Sequence, residues 1–169
     1  MEQIDSYEEL ASGFNEAAKI TKKFAKTFYF ASRFLPKRKK YAAYSIYSIC
    51  RLSDETVDNP DNCTQLESLS KLKENIELVY CHSASKDNLL LAFKKTVNQY
   101  KIPKEYFDEL IDGMYMDLSK TRYGNFKELY NYCYKVAGVV GLIMLNIFGQ
   151  DEQAKKYAIN LGIAMQLTN

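Results

Sequence analysis

The sequence has no tryptophan, a single histidine (His82), three prolines and seven glycines in 169 residues. So little turn chemistry excludes a many-stranded β architecture. One histidine excludes His-rich metal sites and a His-based catalytic triad. Charge of neither sign is in excess. The 23 Lys and Arg against 21 Asp and Glu leave +2, which excludes nucleic-acid binding driven by bulk charge. The four cysteines, Cys50, Cys63, Cys81 and Cys133, show no CxxC pair and no framework spacing, as expected of reduced thiols in a cytoplasmic protein. The amino terminus is acidic and polar, without the basic-then-apolar pattern of a signal peptide. The longest apolar run, Val136 to Phe148, is interrupted by Gly138, Gly141 and Asn146 and falls short of the ~20 residues that span a bilayer. It reads as a buried helix.

What is present is helical periodicity and a heavy aromatic load, 14 Tyr and nine Phe. The length suits one domain over residues 1–169. From Tyr41 to Val57 apolar residues recur at spacings of three and four, between Pro36 with the basic run Lys37–Lys40 and the break at Asn59–Asn62. The same reading predicts helices within Phe14–Leu35, over Thr64–Tyr80 and Asp87–Tyr100, from Lys104 after Pro103 to Leu118, over Phe126–Phe148, and from Asp151 onward beyond Gly149. No strand is predicted, so the fold class is all-α. The apolar pattern from Ala158 to Leu167 is still in full stride at Asn169. The expectation is a chain cut short, with its carboxyl-terminal part and some core partners missing.

Four segments could carry chemistry. Asp54 and Asp58, four apart, project from one helix face about 6 Å apart along the axis, with Arg51 three residues earlier. Like charges at that spacing repel, so the pair suits either a compensating cation such as Mg²⁺ or a solvated acidic helix end. Asp117 falls in an apolar helix end just before Arg122-Tyr123, where it serves a site or pairs with Arg122. Ala137, Gly138 and Gly141 cluster within one helix, which permits tight helix packing or a groove for a long chain. Gly162, Gln166 and Asn169 form a stripe across an apolar helix. Their amides need partners, from a polar ligand or from a neighbouring helix.

In this order the segments resemble the squalene/phytoene synthase family, the head-to-head trans-isoprenyl diphosphate synthases. The resemblance runs from about Ile20 to Asn169. Lys26-Thr27-Phe28-Tyr29-Phe30-Ala31 through Leu35-Pro36 resembles the family's amino-terminal segment. Tyr47 through Arg51-Leu-Ser-Asp54-Glu55-Thr-Val-Asp58 resembles its first aspartate-rich motif, with Glu55 where many members have Asp. Tyr132-Cys133-Tyr134-Lys135-Val136-Ala137-Gly138-Val139-Val140-Gly141 resembles its tyrosine–cysteine–glycine signature. Gly138 and the Gly113–Asp117 stretch look closest to phytoene synthases.

The resemblance implies an isoprenoid-synthase helical bundle around a central cavity, and a prenyltransferase of isoprenoid and carotenoid biosynthesis. It makes Asp54 and Asp58 ligands of Mg²⁺ or Mn²⁺, Arg51 a diphosphate contact, and Thr27 and Phe28 part of an amino-terminal flap. Tyr47 and Tyr132 would face the reaction, with Asp117, Ala137, Gly138, Gly141, Gln166 and Asn169 on the substrate. Two geranylgeranyl diphosphates would give phytoene through a cyclopropylcarbinyl diphosphate. Farnesyl substrates would give squalene or dehydrosqualene, NADPH being needed only for squalene. Such chemistry calls for metals at the leaving group and aromatic faces around a carbocation, each ring worth ~0.5–2 kcal/mol. It explains carboxylates and tyrosines in one protein without a His or Cys nucleophile.

The family's second aspartate-rich motif would begin where this chain stops, so the 169-residue chain is expected to be inactive alone. A family member without catalysis, acting as an assembly factor, is disfavoured by the presence of Arg51, Asp54 and Asp58. A chain-elongating prenyltransferase is disfavoured by the Tyr132–Gly141 segment. Lys37–Lys40 reads as a solvated helix start, in peripheral contact with acidic lipid headgroups where a greasy product leaves.

Overall fold

The computed structural model describes residues 7–57, 62–81, 87–120, 122–149 and 152–168, with the backbone alone described at 52–57 and 62–64. Among the described residues there are helices and no strand. The helices are α1 (Tyr7–Phe24), α2 (Lys26–Ala31), α3 (Lys37–Val57), α4 (Asn62–Tyr80), α5 (Asn88–Tyr100), α6 (Lys104–Ser119), α7 (Phe126–Cys133), α8 (Val139–Phe148) and α9 (Lys155–Thr168).

Helix α3 is the axis of the bundle. Ala42, Ala43, Tyr44, Ser45, Ile46, Ser48 and Ile49 are all buried, more than one face of a helix can hold. A helix buried nearly all round must sit between others, and α1, α4, α5 and α8 pack against it. The serines tolerate this because they are small and one bonds locally, Ser48 Oγ donating to the Ser45 carbonyl at 2.9 Å. Much of the aromatic load is core. Tyr44 is 2% exposed, stacks on Tyr29 at 5.3 Å and donates its hydroxyl to the Tyr29 carbonyl. Phe93 meets Phe107 edge to face at 5.1 Å, joining α5 to α6. A second cluster of Leu69, Leu110, Met114 and Val139 joins α4, α6 and α8.

Local chemistry sets the boundaries. Asp87 caps α5, its Oδ1 accepting from the Leu89 and Leu90 amides at 2.8 and 3.0 Å. That helix ends on Lys101 in the left-handed conformation, φ 49°, before Pro103 opens α6. Asn125 caps α7 by accepting from the Glu128 amide at 3.0 Å, while Glu128 reaches back to the Gly124 amide. Gly149, φ 143°, ends α8.

The structure refines two expectations. The helix sought within Phe14–Leu35 begins at Tyr7 and breaks at Ala25 (φ −133°, ψ 65°); α2 and a 3₁₀ turn at Ser32–Phe34 come after the break. The break turns Phe28 inward against Tyr44 and Tyr47, which an unbroken helix would not do. The Phe126–Phe148 helix is continuous but contains a π-helical turn at Tyr134–Gly138. By length and composition this stretch could cross a membrane. Here it packs in the bundle, burying Cys133, Val139, Leu142, Ile143 and Ile147.

Candidate active site

The π turn organises one wall of the site. A π turn inserts one residue into the helix and rotates the turns beyond it, and such turns recur at functional sites. Lys135 anchors it by pairing with Glu109 and, at 3.3 Å, with Asp112 on α6. Mutual close approach fixes the other side. A Cβ on Gly162 would lie 2.2 Å from the Ala137 carbonyl oxygen, and one on Gly141 would lie 2.3 Å from the Ala158 carbonyl oxygen. Helix α9 therefore lies backbone to backbone against the π turn and α8. Gly138 is buried against the Tyr134 ring. Of the two readings left open for this segment, tight packing is the one in which Gly141 takes part.

That packing brings together polar groups from three elements. Gln166 Nε2 on α9 donates to the Tyr132 hydroxyl on α7 at 3.4 Å. The Tyr132 hydroxyl also interacts with the Asp117 carboxylate on α6. A phenol has one proton and lone pairs to spare, so one group can serve both partners. Asp117 thus finds its partner in Tyr132 on a separate helix. Burial raises the pKa of Tyr132, and the bond to Asp117 and its negative charge raise it further, so the phenol keeps its proton. Asp117 is solvent-exposed as a residue, yet partial burial of its carboxyl raises its pKa, opposed by the Tyr132 bond. Tyr123 belongs to this wall although sequence reasoning misses it. Its ring stacks on Tyr132 at 5.0 Å, and its buried hydroxyl has no hydrogen-bond partner among the described residues. A tyrosine beside Arg122 in a polar connection carries no periodic signal. Stacked rings next to a carboxylate make a wall that is both apolar and electron-rich.

The second wall is on α3. Tyr47, Arg51 and Asp54 stand at i, i+4 and i+7, on one stripe of a regular helix. Tyr47 meets Phe28 of α2 at 5.8 Å, and the Arg51 guanidinium lies over Phe24, 4.9 Å from the ring centre. Phe24 carries no sequence signal, because the contact depends on the turn at Ala25. Thr27 is exposed on α2 next to the half-buried Phe28. The structure thus groups Thr27, Phe28, Tyr47 and Arg51, and separately Asp117, Tyr132, Ala137, Gly138, Gly141 and Gln166. The side chain of Asp54, and Asp58 and Asn169 entirely, lie outside the described residues. Among the described residues no cluster of three or more His, Cys, Asp or Glu could hold a metal. The register of α3 does carry Asp54 onto the Arg51 stripe, with the oxygen chemistry a hard divalent cation takes.

Comparison with known proteins gives the family and the fold. Phytoene synthase 3 of Zea mays is 36% identical over 169 residues, covering 95% of this chain and 39% of the relative. The phytoene synthase of Arthrospira platensis is 38% identical, over 89% and 53% respectively. A dehydrosqualene synthase solved in complex with a ligand superposes with a TM-score of 0.87 at 29% identity, over 98% of this chain and 58% of its own. A squalene synthase from Alicyclobacillus acidocaldarius superposes at 0.84 and 26% identity, over 95% and 61% respectively. The chain spans about half or less of the length of these curated relatives, and its fold is the isoprenoid-synthase helical fold of the solved structures. With the squalene/phytoene synthase model matching residues 21–169 as well, the chain belongs to the squalene/phytoene synthase family.

Proposed function

We propose that the protein condenses two prenyl diphosphates head to head, with geranylgeranyl diphosphate as substrate and phytoene as product. The reading is supported by the α3 stripe of Tyr47, Arg51 and Asp54 and, separately in the same bundle, by the group of Asp117, Tyr132 and Gln166. Asp54 and Asp58 would hold Mg²⁺ or Mn²⁺, which would supply Lewis-acid stabilisation of the departing diphosphate. Arg51 offers its fork to the diphosphate from the same stripe, held in place by the Phe24 ring. Thr27 and Phe28, on the short helix against α3, close over this end. Tyr47, Tyr132 and Tyr123 present ring faces to the cationic prenyl chain and keep water away. Tyr132 stays protonated and holds the Asp117 carboxylate, so that the negative charge sits at a fixed place beside the rings. Ala137 and Gly138 bound the space in which the chain lies, Gly141 seats α9 behind them, and Gln166 and Asn169 orient its polar end.

The percentage identities to phytoene synthases favour the longer substrate. The superposition with a dehydrosqualene synthase supports a second reading, farnesyl diphosphate as substrate, with NADPH needed only for squalene. Mass spectrometry of the lipid made from labelled prenyl diphosphates with Mg²⁺ by a form extended past Asn169 tests the reading, the 169-residue chain alone being expected to make none. A C40 hydrocarbon from geranylgeranyl diphosphate is expected and a C30 hydrocarbon from farnesyl diphosphate selects the second reading; head-to-tail elongated diphosphates in place of either would refute both.

A further inference from the structure

Glu109, Gly113 and Asp117 lie at i, i+4 and i+8 on α6, a single stripe about 12 Å long. Every member of it meets the segment that carries the π turn. Asp117 interacts with Tyr132, just before the turn. Gly113 is buried, and a Cβ there would lie 2.7 Å from Val136 Cγ1 and 2.9 Å from Lys135 Cβ. Glu109 pairs with the Lys135 ammonium, which also reaches Asp112 at 3.3 Å. These contacts constrain different motions. Close approach at Gly113 sets how near the two segments come, yet leaves them free to slide along each other. Lys135 meets two carboxylates one helical turn apart, and that arrangement opposes sliding. Its side chain is 17% exposed, so the pairs are screened less than surface ones. Burial disfavours the charge of Lys135, but the bonds to Glu109 and Asp112 outweigh burial and raise its pKa, so the ammonium persists. A π turn is rare, and contacts outside it must hold it in place of an ordinary α turn.

We infer that Lys135 is a positioning residue: by tying the π turn to Glu109 and Asp112 it fixes the register in which Tyr132 meets Asp117. Without the tie the turn slides or relaxes, and the Tyr132 hydroxyl leaves the carboxylate. The service of that contact to prenyl transfer rests on the reading above; its dependence on Lys135 does not.

Two readouts test it: the ¹⁹F resonance of 3-fluorotyrosine placed at position 132, and the cost of Tyr132→Phe in urea titrations. Lys135→Met keeps most of the side chain's length and removes its charge. It should move the resonance toward its position in urea. In that background the effect of Tyr132→Phe on the unfolding equilibrium constant should shrink by about threefold or more. Lys135→Arg should restore both readouts. Glu109→Gln, which leaves Asp112 to hold the lysine, is the milder variant and should move both in the same direction. Lys104→Met is the control. It removes a comparable tie, from α6 to Glu77 of α4 at 2.8 Å and to Asp108 at 2.7 Å, and should leave both readouts in place. An unmoved resonance with additive costs, an equal shift in Lys104→Met, or no restoration by Lys135→Arg would overturn the inference. A different product from the extended form would refute the substrate reading and leave both readouts standing.

Discussion

Gly162→Ala is the substitution for which helix propensity and packing make opposite predictions. Alanine in a helix interior is favoured over glycine by about 1 kcal/mol, so an isolated α9 would gain stability. In the bundle the new methyl would lie 2.2 Å from the Ala137 carbonyl oxygen and 3.0 Å from the Gly138 amide nitrogen. Both are backbone atoms of the π turn and cannot rotate away. Restoring an ordinary contact requires α9 to retreat by about 1 Å, and overpacking of this kind costs roughly 1–3 kcal/mol. The net expectation is a loss of up to about 2 kcal/mol, or up to some 8 °C in Tm for a chain of this size. Urea denaturation followed by circular dichroism would measure it. Gly141→Ala should act alike, because its methyl would meet the Ala158 carbonyl across the same interface. Once α9 has moved for one methyl the second costs less, so the double variant should lose less than the sum of the singles. A gain in stability for either variant, or strict additivity, would refute backbone-to-backbone packing of α9 on the π turn.

The same contacts predict other outcomes. Asp117 has its folded pKa raised by burial, so the folded state favours its protonated form, and that contribution is lost as pH rises from about 4 through the folded pKa. Asp117→Asn should therefore gain stability relative to the parent as pH rises through that window; thermal melts showing the opposite slope would contradict the burial assignment. Tyr132→Phe removes the donor to Asp117 and the acceptor for Gln166 and should cost about 1–3 kcal/mol in denaturant titrations; a cost near zero would mean that water replaces the hydroxyl. Asp87→Ala strips the cap from two amides of α5 and should cost about 1 kcal/mol, and an unchanged urea midpoint would contradict it.

Most helix boundaries were legible because they rest on local chemistry. Pro103 opens α6, Asp87 and Asn125 cap their helices, and Gly149 stops α8. The break at Ala25 was not legible. No glycine or proline marks it, and the tertiary gain of seating Phe28 against Tyr44 and Tyr47 overrides the helical propensity of the segment. The π turn was equally hidden, since periodicity does not register one inserted residue when Lys135 can bind across to α6. In the candidate site the stripe carrying Tyr47, Arg51 and Asp54 was readable from spacing within one helix. The Tyr132–Asp117 bond was not, because its partners come from different helices and because Arg122, the nearer cation in sequence, pointed elsewhere. The two readings of Gly141 could be separated only once its neighbour, the Ala158 carbonyl, was known.

The most direct measurement is a titration of the protein with geranylgeranyl diphosphate at increasing Mg²⁺, for the parent and for Asp54→Asn/Asp58→Asn. If these acids recruit the divalent ions that grip the diphosphate, the parent binds tightly only with Mg²⁺, and the double variant loses that metal dependence together with at least about tenfold in affinity, near 1.4 kcal/mol. Identical metal-dependent isotherms for the two proteins would contradict it.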